Sequence, residues 1–260
     1  MNKPSQHFSK AIDKNPILYL QDICKTFISG DGKLTVLNGV NIQAFAGESV
    51  ALIGPSGSGK STLLHIAGLL DKGTSGKIFI DRTNYNETTD AKKDFAHKNK
   101  IGFIYQSNNL MNDFTAIENV MMPLMIQGVS YTVAKSRASE LLKKMQLSDR
   151  ENHYPTQLSG GQQQRIAIAR AIITEPVILF ADEPTGNLDP ATSEFVFTQL
   201  ISIVKEKNLC LIIATHNPII ARSCDKIFMM LGGSAIEVNA ENKKQLASNK
   251  DSKELMKHFY

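Results

Sequence analysis

The chain has 260 residues, of which 42% are hydrophobic and 21% charged, with a formal net charge of +4. That balance is ordinary for a soluble globular protein and sufficient for one large domain or two small ones. No apolar run approaches the roughly 18 residues of a membrane span. Three cysteines without a C-x-x-C pair argue against a disulfide framework and against a zinc site.

Residues 1–16, "MNKPSQHFSKAIDKNP", contain no apolar stretch of the kind a secretory signal needs. They read as a flexible extension, and the expected location is cytoplasmic. "ILYLQDI" (17–23) and "GVNIQAF" (39–45) flank a Gly-Asp-Gly turn and predict antiparallel strands. The strand "ESVALIG" runs into "GPSGSGKST" (54–62), which opens the helix "TLLHIAGLL". "GKIFID" and "KIGFIY" predict further strands. Strand signals then stop between about Asn108 and Tyr154. There "AIENVMMPLMIQ" places Ile117, Val120, Met121, Leu124 and Met125 on one helical face, and "SRASELLKKMQ" is a second amphipathic helix. A helical subdomain inserted at about 107–157 is expected. "LSGGQ" (158–162) then leads into the helix "GQQQRIAIARAII", which Glu175-Pro176 should stop. "VILFAD" and "LCLIIAT" are buried strands, each followed by a helical segment, and residues 240–260 form a polar, lysine-rich tail. Strands alternating with helices predict an α/β domain with a largely parallel sheet.

Three stretches carry chemistry. Gly54-Pro55-Ser56-Gly57-Ser58-Gly59-Lys60-Ser61-Thr62 fits G-x-x-x-x-G-K-[ST] between a strand and a helix. Its glycines let backbone N–H groups wrap a phosphate, and the helix N-terminus adds attraction. Lys60 can neutralise β- and γ-phosphates, and the Ser61 hydroxyl can bind Mg²⁺. Asp182 and Glu183 end an apolar strand, where one carboxylate can hold Mg²⁺ and the other polarise a water. In the third stretch, Ser159-x-x-Gln162 matches a capping box. The cap leaves Gly160-Gly161 unexplained, because two glycines in a first helical turn cost stability unless something must approach the backbone there.

"LSGGQ" ahead of "ILFADEPTGNLD", with the glycine loop far upstream, resembles the nucleotide-binding subunit of ATP-binding cassette (ABC) transporters. The resemblance runs from about Leu18 to Val238. It implies an α/β P-loop nucleotide triphosphatase over 17–239, with a RecA-like core, an antiparallel β subdomain and an inserted α-helical subdomain. It also implies a homodimer sandwiching two ATPs, each held by the glycine loop of one copy and by Ser159, Gly160, Gly161 and Gln162 of the other. Further roles follow from it: Phe27 stacks on adenine where the family commonly has Tyr, Gln106 touches Mg²⁺ or the lytic water, Asp189 crosses the dimer interface, and His216 contacts the γ-phosphate. Mg²⁺ would then be held by Ser61, Gln106 and Asp182, with Glu183 and His216 catalytic. Each added role has a plain structural alternative. Phe27 fits a core position, His216 the end of a buried strand, and Asp189-Pro190 an N-cap and N1 pair, as does Asn217-Pro218.

Within the family, "GFIYQ", "DFTAIENV" and "MPL" look like the subfamily of lipoprotein-release ATPases, which also includes macrolide and peptide exporters and cell-division regulators. The implied partners are a second copy of the chain and integral membrane permease subunits (LolC/LolE-like), with no nucleic acid. The implied place is the cytoplasmic face of the inner membrane, peripherally bound. A soluble ABC ATPase acting on DNA or ribosomes would carry long coiled coils or tandem cassettes. This chain has one glycine loop and no sustained heptads. A metabolic P-loop kinase would have no use for "LSGGQ".

Overall fold

The computed structural model describes residues 15–238 apart from positions 31 and 87. The expected tail over 240–260 lies outside the described residues, as does all of the expected extension except positions 15 and 16.

Five short apolar strands form the centre: β3 (Ser49–Ile53), β6 (Ile101–Ile104), β7 (Ile178–Asp182), β8 (Cys210–Ala214) and β9 (Lys226–Leu231). They pair in parallel in the order β9-β3-β8-β7-β6, and β10 (Ser234–Glu237) adds an antiparallel edge beside β9. Near-continuous apolar runs are what a parallel sheet covered on both faces requires. Side-chain alternation divides the strands between two cores. Val50, Leu52, Ile178, Phe180 and Ile212 enter one, while Ala51, Leu179, Ala181, Leu211 and Ile213 enter the other.

The first core is closed by α1 (Lys60–Ala67) and by a four-stranded antiparallel sheet. That sheet is built from β1 (Leu18–Ser29), β2 (Gly32–Ala44), β4 (Ser75–Ile80) and β5 (Thr83–Asn84), in the order β2-β1-β4-β5. "GKIFID" and "KIGFIY", both expected as strands, therefore join different sheets. The β1–β2 pair also runs further than the sequence pattern suggests, as far as Ser29 opposite Gly32. Register shifts between Leu20 and Thr26, with Asp22 at φ +51°, break the period-two pattern beyond Ile23 and hide the outer half of the hairpin.

The second core is helical. After β5 comes the polar α2 (Asp90–Asn99); after β6 come α3 (Ala116–Ile126), α4 (Tyr131–Lys144) and α5 (Gly160–Ile172). Then α6 (Pro190–Glu206) follows β7, and α7 (Pro218–Arg222) follows β8. Helix α3 opens on a Thr115–Glu118 capping box, in which the carboxylate accepts from Thr115 N at 2.8 Å. Ile117, Val120, Met121 and Leu124 are buried as expected, but Met125 is 38% exposed. At about 100° per residue, eight residues carry Met125 roughly 80° away from Ile117, off the buried stripe. Helix α5 lies directly on the edge strand β6, because a Cβ on Gly102 would collide with the Ala171 carbonyl oxygen. That close seat fixes α5 relative to the loop leaving β6.

Candidate active site

Strands β3, β6, β7 and β8 end on the same edge of the parallel sheet, and each hands over to a loop bearing candidate residues. Ligands of open α/β sheets bind at this edge. The loop after β3 runs through Gly57 (φ +78°) and Gly59 (φ +94°), both left-handed. A Cβ on Gly59 would stand 2.9 Å from Leu37 Cδ2 and 3.0 Å from the Val36 carbonyl oxygen, whereas nothing lies within 4 Å of one on Gly57. One glycine lets β2 close over the loop, and the other leaves the backbone bare toward an open cleft of ≈ 510 Å³. The cleft is lined by Val36, Gly54, Ser56, Gly57, Gly59, Lys60, Ser61, Thr62, Glu183 and His216.

Inside the loop, buried Lys60 donates from Nζ to the Gly54 and Pro55 carbonyls at 3.0 and 2.9 Å. Burial pushes its pKa down, and the Glu183 and Asp182 carboxylates oppose that shift. Ser58 Oγ is buried without a hydrogen-bond partner. Ser61, in the first turn of α1, donates to Asp182 Oδ1 at 3.1 Å, so a hydroxyl and a carboxylate from two elements converge. Hard oxygens in this pairing suit Mg²⁺. An ammonium resting on carbonyls, an orphan hydroxyl, a bare glycine and an oxygen pair together fit a magnesium-bound phosphate chain.

Glu183 ends β7 in the left-handed region, φ +45°, with its N–H donated to the Ala214 carbonyl at 2.9 Å. A non-glycine residue held there costs about 1–3 kcal/mol, and the turn brings its side chain to His216, with His216 Nδ1 2.6 Å from Glu183 Oε2. His216 lies two residues past β8 and its side chain is 66% exposed, so it is no mere end of a buried strand. Gln106 joins from the loop after β6. Its amide lies 3.4 Å from Asn187 Oδ1, and Asn187 Nδ2 donates back to the Gln106 carbonyl at 3.2 Å. A Cβ on Gly186 would stand 2.9 Å from Gln106 Nε2 and 3.2 Å from Glu183 Oε2, so the glycine leaves room where these two side chains converge. Gly186 and Asn187 fall within "ILFADEPTGNLD", but the sequence gives neither of them a role of its own.

Pro55, Ser58, Gln106 and Asp182 adjoin the cleft without lining it, and three further candidate groups also lie outside its lining. Phe27 is 42% exposed rather than a core residue, and Lys25 Nζ stands over its ring at 4.8 Å. Lys25 is itself tied to Asp71 at 2.8 Å. Asp189 caps α6, accepting from Thr192 N at 3.0 Å. Hydrogen bonds from the Thr192 side chain first, and then from its N–H, hold the Asp189 pKa down. Ser159 caps α5 as a full capping box. Its Oγ accepts from Gln162 N at 3.3 Å, and Gln162 Oε1 accepts from Ser159 N at 2.9 Å. Of the two glycines that follow, Gly161 has a use within the chain itself. That residue is buried, and a Cβ on it would sit 2.5 Å from Thr192 Cγ2, so its bareness serves the α5–α6 contact. Gly160 is exposed, and a Cβ on it would meet only Leu188 Cδ2, at 3.3 Å.

A strand–glycine loop–helix cradle beside a serine–aspartate pair at a neighbouring strand end defines a P-loop nucleotide triphosphatase. A family model described as ABC transporter matches residues 37–186. The chain belongs to the ABC transporter family, as an ATP-binding, ATP-hydrolysing cassette. It is 48% identical over 223 residues to the lipoprotein-releasing system ATP-binding protein LolD of Rhodopseudomonas palustris (strain BisB5), covering 86% of this chain and 96% of that protein. It is 47% identical over 221 residues to LolD of Paramagnetospirillum magneticum, covering 85% and 98%. Among solved structures it is similar to the ATP-binding cassette MJ0796 in a dimeric post-hydrolysis state bound to ADP and Pi. There the TM-score is 0.78 at 39% identity, over 85% of this chain and 97% of that one.

The Lys60 environment gives a pH dependence with a definite sign. A phosphate oxygen against the ammonium would raise the pKa that burial lowers. Nucleotide affinity is then full below the lowered pKa of the free site. It falls as pH rises through that value, by up to about tenfold per pH unit. Titration with a fluorescent ATP analogue from neutral to alkaline pH checks this. An affinity that stays flat until ordinary lysine deprotonates removes Lys60 from phosphate binding.

Proposed function

We propose that the chain is the ATP-hydrolysing subunit of a membrane complex that releases lipoproteins from the inner membrane toward the outer membrane. The observation that carries this is the likeness to proteins named for lipoprotein release along nearly their whole length. No described helix is long and apolar enough to cross a membrane, and the proposal assigns the span to separate permease subunits (LolC/LolE-like). These hold the chain peripherally at the cytoplasmic face. The exposed Met125 and Ile126 at the end of α3 suit a compliant apolar contact with such a partner. A related macrolide or peptide exporter, or a cell-division regulator, would use the same cassette with a different permease.

In this reading the glycine-loop N–H groups cradle the triphosphate, and Lys60 exchanges its two carbonyl partners for β- and γ-phosphate oxygens. Ser61, Asp182 and Gln106 hold Mg²⁺, which when bound neutralises charge on the phosphate oxygens. Glu183 accepts the proton of the attacking water, with its carboxylate oriented by His216, whose other ring nitrogen is left for the γ-phosphate. Phe27 stacks on adenine through the ring face that Lys25 does not occupy. Exposed Ser159 and Gly160, at the start of α5 and outside the chain's own cleft, meet the nucleotide of a second copy. Gly161 and Gln162 complete that helix end, and Asp189 reaches across the interface. The dimeric solved cassettes support this arrangement.

Glu183→Gln is expected to keep ATP binding and to lose hydrolysis by about 10²–10⁴-fold, because an amide cannot take the proton. Near-normal turnover in single-cycle and steady-state assays would remove Glu183 from that role.

The composite site is tested by mixing two inactive variants, Lys60→Ala and Ser159→Arg. With sites shared between copies, each mixed dimer has one doubly damaged site and one intact site. Random pairing then restores at most about a quarter of wild-type hydrolysis. Absence of any recovery, while wild type dimerises with ATP in light scattering, argues for sites complete within one copy.

Depleting the protein in its host should strand outer-membrane lipoproteins in the inner membrane, read by membrane fractionation. Normal sorting accompanied by efflux or division defects assigns the chain to one of the other permeases.

A further inference from the structure

Arg170 lies on α5, well past the helix's N-terminal glycines, and has no part in the chemistry above. Its guanidinium is half-buried and forms no ion pair with any carboxylate among the described residues. Instead Nη1 donates to the Asn109 carbonyl at 2.7 Å and Nη2 to the Asn108 carbonyl at 2.8 Å. Burial pushes its pKa down, with Tyr105 opposing. A cation removed from water without a counter-ion is costly, and two neutral carbonyls are modest compensation. The fork does fix two consecutive peptide groups, with Asn109 in the left-handed region at φ +48°.

Those carbonyls belong to the segment that begins with Gln106. A second tie runs alongside, because Asn108 Nδ2 donates to Gln163 Oε1 at 3.1 Å. Gln163 in turn is anchored through Nε2 to the Pro155 and Leu158 carbonyls at 2.8 and 3.1 Å, just ahead of Ser159. At its other end the segment is bonded to Asn187 through Gln106. Residues 106–109 thus form a strap. One end sits beside Glu183 and the other is fastened to the helix that begins at Ser159.

We propose that Arg170 is a positioning residue: by forking the Asn108 and Asn109 carbonyls it fastens the strap to α5, sets the reach of Gln106 into the nucleotide cleft, and makes Gln106 and the start of α5 shift as one body. The inference rests on the ATPase reading for its kinetic arm only. Its structural arm stands independently.

The structural arm is backbone order. In Arg170→Met, NMR order parameters for the amides of residues 106–110 are expected to fall while those of Ile166–Ile172 hold. Unchanged order parameters in 106–110 overturn the strap, whether or not the chain hydrolyses ATP. The kinetic arm is a cycle with Gln106→Ala. Arg170→Met should lower kcat about tenfold to a hundredfold with KM for ATP within about twofold and little change in melting temperature. In the Gln106→Ala background the same substitution should change kcat by less than about twofold, since residues acting through one another are not additive. Arg170→Lys, whose ammonium can keep one carbonyl but not the fork, should recover part of the loss. Additive losses, a raised KM alone, or a loss that tracks melting temperature overturn the proposal. If Arg170→Met does not fold, Arg170→Gln, which also removes the fork, takes its place in the same cycle with the same criteria. A wild type without ATPase activity refutes the functional reading and leaves the order parameters to decide the strap.

Discussion

A Cβ on Gly54 would sit 2.7 Å from the Met230 carbonyl oxygen on β9, and one on Gly59 would press on Leu37 and Val36 of β2. The phosphate loop is therefore clamped from both sides by the protein itself, between the parallel sheet and the antiparallel sheet. The clamp holds Lys60 at the first position of α1 and puts the Ser61 hydroxyl within reach of Asp182. It also explains why the antiparallel sheet belongs to the same body as the core, since β2 supplies a wall of the nucleotide cleft. Glycine is needed at both positions for steric reasons before any ligand is considered.

Around that fixed loop the groups proposed as catalytic are held by side-chain bonds from neighbouring loops. Glu183 leans on His216, and Gln106 leans on Asn187, with Gly186 leaving room for both. These groups come from three strand ends, and the parallel pairing of β6, β7 and β8 is what brings them level. Such an arrangement is rigid in the sheet and adjustable in the loops, which suits a site that must bind, react and release.

Much of this was legible from residues alone, and the reasons are physical. The glycine loop, the strand-end Asp182–Glu183 pair and the Ser159 capping box each need several residue types at fixed spacing within one element, so the pattern survives in one dimension. The same holds for the buried strands β3, β7 and β8. What escaped depends on contacts between distant segments. Asn187 and Val36 are single residues whose role exists only beside Gln106 or above the loop, and Arg170 looks like any basic residue on a helix. The packing use of Gly161 was hidden because a glycine carries no sign of which neighbour approaches it, and here the neighbour is Thr192. Met125 misled because a helical stripe drifts, so eight residues on the periodic count no longer lands on the buried side.

The loop between β7 and α6 touches both kinds of nucleotide contact that a dimer of the proposed type would contain. It begins with Glu183 in the chain's own cleft, passes Asn187 at Gln106, and lays Leu188 against Gly160 at the exposed end of α5. A ligand pressing on α5 from a neighbouring copy would therefore push on the segment that carries the carboxylate proposed as catalytic. The two sites of such a pair would be wired in series, each copy registering its neighbour's occupancy, and alternating firing would need no long-range signal to produce it.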